Sequence, residues 1–213
     1  MKVFPVVAIL GLTLMSCMGN RHNQVNDEDE SESNDASVCD GPYGVCQNYH
    51  ESVADEINAQ ITREMEASYT YQAMANHFSR HDFALPGFAK KFQGMSDEER
   101  EHAQKLMAYQ TKRGGVVRLS NVMAPSRQNW KTALNAMKDC LKLEHVVNAH
   151  LLRIHDVAAT RNDPHFQDYL ESEFLTEQVD SIKELADIVN KLESFKRDGN
   201  LALGTHIMDK EFQ

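Results

Sequence analysis

Residues 86–115 read PGFAKKFQGMSDEEREHAQKLMAYQTKRGG, and this stretch decides the fold. Pro86 suits the first turn of a helix, and Gly114-Gly115 suits its end. Between them Phe88, Phe92, Met95, Leu106 and Tyr109 recur at helical spacing. The apolar stripe is broken at its middle, where Glu99 and His102 stand i,i+3 between Met95 and Leu106. A helix of this length must pack its stripe against other helices, and those helices must accept a carboxylate and an imidazole in the contact.

The rest of the chain supplies three such partners. From about Glu51 to Phe78 the apolar positions are Ile57, Ile61, Met65, Tyr69, Met74 and Phe78. A third helix begins near Trp130 and runs through Leu134, Met137, Leu141, Leu151 and Ile154. Asn162-Asp163-Pro164 stops it and starts a fourth, with Asp163 as N-cap and Pro164 as first helical residue. The fourth carries Phe166, Leu170, Phe174, Leu175, Ile182, Leu185, Val189 and Leu192. Gly199-Asn200 end it, and Leu201 to Phe212 suits a short fifth helix. The first and third connections are short and join antiparallel neighbours. The second, from Gly114 to about Asn129, is long enough to cross a full helix. The expected class is all-α, a four-helix bundle with one long crossover and a short fifth C-terminal helix.

Composition agrees. The 213 residues hold 22 Lys plus Arg against 32 Asp plus Glu, a net charge of −10, which argues against a basic nucleic-acid interface. With 41% hydrophobic residues the chain can build a core but is too polar for a polytopic membrane protein. Met1-Lys2, the apolar run Val3 to Met15 and the small residues around Ser16 to Gly19 have the layout of a secretory signal peptide, with cleavage near Gly19. A membrane anchor, a buried N-terminal helix and a lipoprotein site at Cys17 are the competing readings. Residues 20–46 then form an acidic, flexible arm and linker, with Asp27-Glu28-Asp29-Glu30, Glu32 and Asp35 and no Lys or Arg from His22 to Thr62. This arm is either a solvated tether or a weak attractor of cations. An oxidising route would suit a local or intersubunit disulfide at Cys39 and Cys46, against two free thiols. Cys140 sits within a helical pattern as a small packed side chain. The chain contains no N-glycosylation sequon.

Each of the four helices carries a polar residue on its stripe. Glu64 and Tyr71 are seven apart on the first, Glu99 and His102 are on the second, Glu144 is on the third and Gln178 on the fourth. Buried carboxylates need a partner, a proton or a cation. Hard oxygen ligands with one imidazole would suit iron. The lone Glu-x-x-His carries no weight by itself, and any single inward Glu is more often a boundary-facing residue. The coincidence across four helices is what favours a metal site.

The strings EMEASYTY (Glu64 to Tyr71), EEREHAQKLM (Glu98 to Met107), LNAMKDCLKLE (Leu134 to Glu144) and NDPHFQDYLESEFLTEQV (Asn162 to Val179) resemble those of ferritin, specifically its heavy-chain type. The resemblance runs from about Gln47 to the C-terminus, so residues 47–213 are expected to form a ferritin-like di-iron domain. It implies that Glu64, Glu99 and His102 hold a first iron of a ferroxidase centre. Glu99 would bridge to a second iron that Glu144 also binds, Gln178 would hydrogen-bond water or oxygen there, and Tyr71 would hydrogen-bond or donate an electron transiently. It further implies mineral nucleation at Glu98 and Glu101, with Gln104 where heavy chains usually have another Glu. A threefold ion channel would be lined by Asp168 and Glu171 with His155 nearby. Without the resemblance, Asp168 and Glu171 would read as acids favoured at a helix N-terminus. Leu203 and Ile207 would line a fourfold pore.

The implied activity is oxidation of Fe(II) by O2 and storage of Fe(III) mineral inside a hollow cage of about 24 subunits, homomeric or mixed with a second ferritin chain. The leader and acidic arm make the chain similar to secreted invertebrate ferritins. Two alternatives differ in class. One is a non-catalytic secreted storage or yolk protein that relies on partner subunits. The other is a metal-free secreted four-helix signalling protein.

Overall fold

The computed structural model describes residues 44–213. The signal segment 1–19 with its cleavage point, nearly all of the arm 20–46, and Cys17 and Cys39 lie outside the described residues. Cys46 is disulfide-bonded. Cys140 is a buried free thiol.

Among the described residues all regular structure is helical. Helices α1 (Glu51–Ser79), α2 (Pro86–Lys112) and α3 (Ala133–Thr160) are continuous. The fourth bundle helix is built of α4 (Pro164–Leu170), a π turn over Glu171–Leu175, and α5 (Thr176–Arg197). Helix α6 (Leu201–Glu211) follows. α1 packs on α2, α3 on α5, and α1 on α3, while α6 rests against α5 and α2. None of these helices is long and apolar enough to cross a membrane.

The long connection is a strap along α1. Asn58 Nδ2 donates to Val116 O at 3.0 Å and Asn58 Oδ1 accepts from Arg118 N at 3.0 Å. Further on, Glu66 Oε1 accepts from Met123 N at 3.4 Å, and His77 Nε2 lies 2.7 Å from Trp130 O. The contacts advance together along both segments. The strap therefore runs from the α1 N-terminal end to its C-terminal end, and α3 starts there antiparallel to α1. Trp130 is buried and its Nε1 donates to Asp139 at 3.0 Å, which fixes the start of α3. Helix α3 begins at Ala133 behind a Thr132 cap, three residues later than the sequence suggested.

The core is a single cluster along the bundle axis. Tyr69 departs from expectation, being 50% exposed. The α1 stripe instead passes through Ile57, Ile61, Glu64, Tyr71, Met74 and Phe78, all essentially sealed. Successive i+4 steps from Ile57 to Tyr69 drift off a 3.6-residue face, and the i+3 step at Glu64 corrects the drift.

Two polar anchors hold the ends. Buried Asp163 caps α4, accepting from Phe166 N at 3.1 Å, and takes both Arg113 guanidinium nitrogens at 2.9 and 3.1 Å. Arg113 also donates to Gln47 O at 3.0 Å and lies over the Tyr49 ring, so the chain entering α1 is tied to the ends of α2 and α4. Between these elements Gly114 has φ +86, and a Cβ there would meet Cys46 Sγ at 2.5 Å. At the other end Leu85 offers α2 no side-chain cap. Buried Asp209 of α6 supplies one, accepting from Gly87 N at 2.8 Å and Phe88 N at 3.1 Å. A carboxylate at a helix N-terminus is favoured by the dipole as well as by these bonds.

Gly87 leaves no room for a side chain, because a Cβ would sit 1.8 Å from Asp209 O. Gly87→Ala is expected to lift α6 off α2, and Asp209→Ala to cost about 1–3 kcal/mol through the two unpaired amides. Urea unfolding at fixed protein concentration checks both.

Candidate metal centre

The site is assembled from one side chain per turn on each helix. Glu64 and Tyr71 stand two turns apart on α1, both fully buried. Glu99 and His102 stand one turn apart on α2, buried to within a few per cent. Glu144 of α3 and Gln178 of α5 close the group, equally buried. The four-helix coincidence expected from the sequence is thus a physical cluster. Ligand-competent atoms of Glu64, Glu99 and His102 all lie within 4.8 Å of one another.

The π turn sets the phase of Gln178. Each i+4 step on an α-helix turns the face by about 40°, so the three steps Phe166, Leu170, Phe174, Gln178 would carry Gln178 about 120° off the stripe. The wide turn at Glu171–Leu175, closed by a Thr176 N–H bond to Glu171 O, takes most of that drift back. Phe166, Leu170, Phe174 and Gln178 are accordingly all buried.

The hydrogen bonds orient the carboxylates. Gln60 Nε2 donates to Glu64 Oε1 at 2.8 Å, and Gln178 Nε2 donates to Glu144 Oε2 at 2.8 Å. The Tyr71 hydroxyl donates to Glu144 Oε1. His102 Nδ1 lies 3.4 Å from Glu99 Oε2, and its Nε2 lies 3.1 Å from Glu177 Oε2. Among the described residues, three buried side-chain oxygens have no donor: Gln60 Oε1, Glu64 Oε2 and Gln178 Oε1.

Burial pushes Glu64 and Glu99 well above the usual carboxylate range, and their neighbours push further: Glu99 acts on Glu64, and Glu144 on Glu99. Burial also raises Tyr71, reinforced by Glu144. Burial alone would hold His102 down, but the hydrogen bond to Glu177 and the charge of Glu64 raise it overall. Glu99 thus interacts with two carboxylates, Glu64 and Glu144. Removing each carboxylate from water costs several kcal/mol, while each hydrogen bond returns about 1–3 kcal/mol. Two amides and a phenol do not offset three carboxylates, so the cluster needs protons or cations. Carboxylate oxygens with one imidazole suit a metal such as iron. The orphaned oxygens of Glu64 and Gln178 are further acceptors for a cation or its water.

The other expected residues are placed outside this cluster. Glu98 lies on the surface beside Glu177, and partial desolvation and the Glu177 charge raise its carboxyl. Glu101 and Gln104 are exposed on the next turn of α2. His155 Nε2 lies 2.8 Å from Glu171 Oε1 on the surface, with Asp168 exposed one turn before. Leu203 and Ile207 are exposed on α6. Sequence reasoning missed Gln60 and Glu177. Gln60 was legible, since it precedes Glu64 by one turn on the same face. Glu177 was not, because its approach to His102 lies just beyond the π turn.

Comparison with known proteins follows the same residues. Residues 54–195 match the ferritin-like domain family. The chain is 52% identical over 165 residues to soma ferritin of Lymnaea stagnalis, covering 78% of this chain and 92% of that protein. It is 49% identical over 146 residues to the ferritin middle subunit of Salmo salar (68% and 83% covered) and 46% over 166 residues to ferritin of Pacifastacus leniusculus (78% and 90%).

A group whose pKa rises on folding stabilises the fold at low pH and loses that contribution as pH climbs past the unfolded value toward the folded one. Metal-free protein is therefore expected to lose stability from about pH 4.5 upward on account of Glu64 and Glu99. Glu64→Gln should flatten this dependence and raise the metal-free melting temperature at neutral pH, as calorimetry across pH would show.

Proposed function

The chain belongs to the ferritin family of iron-storage proteins, and from that membership we propose that it is a ferroxidase-competent, heavy-chain-like subunit. It oxidises Fe(II) with O2 and deposits Fe(III) mineral inside a cage of about 24 copies. The observation that carries this reading is the position of Glu99, whose carboxylate lies within 4.8 Å of the ligand atoms of Glu64 and His102 and also interacts with Glu144.

Fe(II) is the substrate. Glu64, Glu99 and His102 hold one ion, and Glu99 with Glu144 holds the second. Two ions sharing one carboxylate can each pass an electron to the same O2, which divides a two-electron reduction between two one-electron donors. Gln60 fixes the carboxylate plane of Glu64, and Tyr71 and Gln178 fix that of Glu144. Gln178 keeps its carbonyl oxygen free to accept from a bound water. Tyr71 is also the nearby group able to donate an electron transiently.

The remaining residues serve transport and storage. Glu98 and Glu101 receive ferric ions for mineral growth, and Gln104 weakens that step relative to a third acid. Asp168, Glu171 and His155 line a threefold channel for incoming cations, while exposed Leu203 and Ile207 meet their symmetry mates around a fourfold axis. Residues 1–19 are a signal peptide removed near Gly19, residues 20–46 an acidic tether and 47–213 the di-iron domain, so the mature protein is secreted.

The test is stopped-flow oxidation of Fe(II) by the purified protein and by a Glu99→Ala, His102→Ala double variant. The variant should be slower by roughly a hundredfold or more, since even indirect supports of metal sites are worth ten- to a hundredfold. Equal rates would end the ferroxidase reading. A cage should elute near half a megadalton, roughly two dozen times the 24.2 kDa chain mass. N-terminal sequencing of secreted protein should begin close to Asn20.

A further inference from the structure

The centre is not sealed on all sides. A narrow cleft of about 30 Å³ separates α2 from α5 and leads to Glu99, His102, Glu144 and Gln178. That is room for about two water-sized particles. Among the side chains along it are Glu98, Glu177, Ser181 and, furthest from the centre in sequence register, Lys91 and Glu184. Lys91 of α2 places its ammonium between the two carboxylate oxygens of Glu184 of α5, at 2.8 and 2.9 Å. The Lys91 side chain is 25% exposed and that of Glu184 54%. One ion pair therefore spans the two helices that form the cleft, and its ammonium faces a lining in which Glu98, Glu99, Glu144 and Glu177 stand among neutral side chains such as Met95, Ser181 and Leu185.

We propose that Lys91 and Glu184 form an electrostatic latch on this cleft, which slows the departure of oxidised iron from the centre. The inference rests on the ferroxidase reading. A fixed ammonium in a narrow passage repels any cation, and it repels a trivalent product half again as strongly as a divalent substrate. Glu184 holds the ammonium in place and offsets part of its charge. The pair adds little to stability at this exposure, so its removal leaves the bundle intact. The latch keeps ferric ions at the centre until the acids Glu98 and Glu177 draw them outward.

Two successive additions of Fe(II), each matched to the di-iron capacity and separated by a variable delay, test this by stopped-flow absorbance. The proteins are wild type, Lys91→Met, Glu184→Gln and the double variant. All four should oxidise the first addition within about twofold of one another, because neither residue touches the ligands. Recovery of fast oxidation on the second addition should quicken about three- to tenfold in Lys91→Met. It should slow in Glu184→Gln, whose ammonium is left uncompensated, and follow Lys91→Met in the double variant. Equal recovery in all four proteins overturns the latch, and so does acceleration in both single variants, which would mark a mechanical tie without a charge effect. A wild-type chain with no rapid first phase overturns the ferroxidase reading, and the latch with it.

Discussion

The constraint on which this structure depends is the concentration of three carboxylates in the middle of a helical core. Four helices must meet at one height for Glu64, Glu99, Glu144 and the side chains that orient them to converge. A core of that composition is unfavourable without a counter-charge, since hydrogen bonds from Gln60, Tyr71 and Gln178 repay only part of the desolvation. The bundle therefore carries strain of an electrostatic kind at its centre and offsets it along its length, in the apolar layers of Phe78, Phe88, Phe92, Trp130 and Phe166. Packing above and below holds a geometry whose charge must be relieved by protons or by a cation.

Backbone details far from the ligands serve that geometry. The π turn at Glu171–Leu175 widens one helical turn, and with it Phe174 packs on the His102 ring at 5.4 Å while Gln178 still reaches Glu144. An unbroken α-helix would satisfy one contact and lose the other. The strap over α1 is similar in purpose. It sets α3 antiparallel to α1, and that direction brings Glu144 level with Tyr71, whose hydroxyl donates to it.

Much of this was legible in the sequence because the signals were local. Asp163-Pro164 announced a helix start, and Asp163 does cap Phe166 N. The i,i+3 and i,i+7 pairs on α1 and α2 fixed faces with little ambiguity. What escaped depended on distance or on the backbone. The cap that Asp209 gives α2 joins residues 122 apart. The π turn leaves no mark in residue type, so Glu177 could not be aimed at His102. Tyr69 was placed on the stripe because i+4 spacing looks helical over one step and drifts over three.

The Asp209 cap bears on how this protein can be extended. Only three residues separate that buried carboxylate from Gln213, whose backbone oxygen accepts from Lys90 Nζ at 2.6 Å and whose side chain donates to Asp209 at 3.0 Å. A peptide or cargo domain fused directly behind Gln213 would pull on the first turn of α2, the same helix that presents Glu99 and His102. At the other end of the described residues, the chain is held at Gln47 by Arg113 and at Cys46 by a disulfide before it enters α1. A tag placed behind Gln213 needs a spacer long enough to leave the last turn of α6 undisturbed.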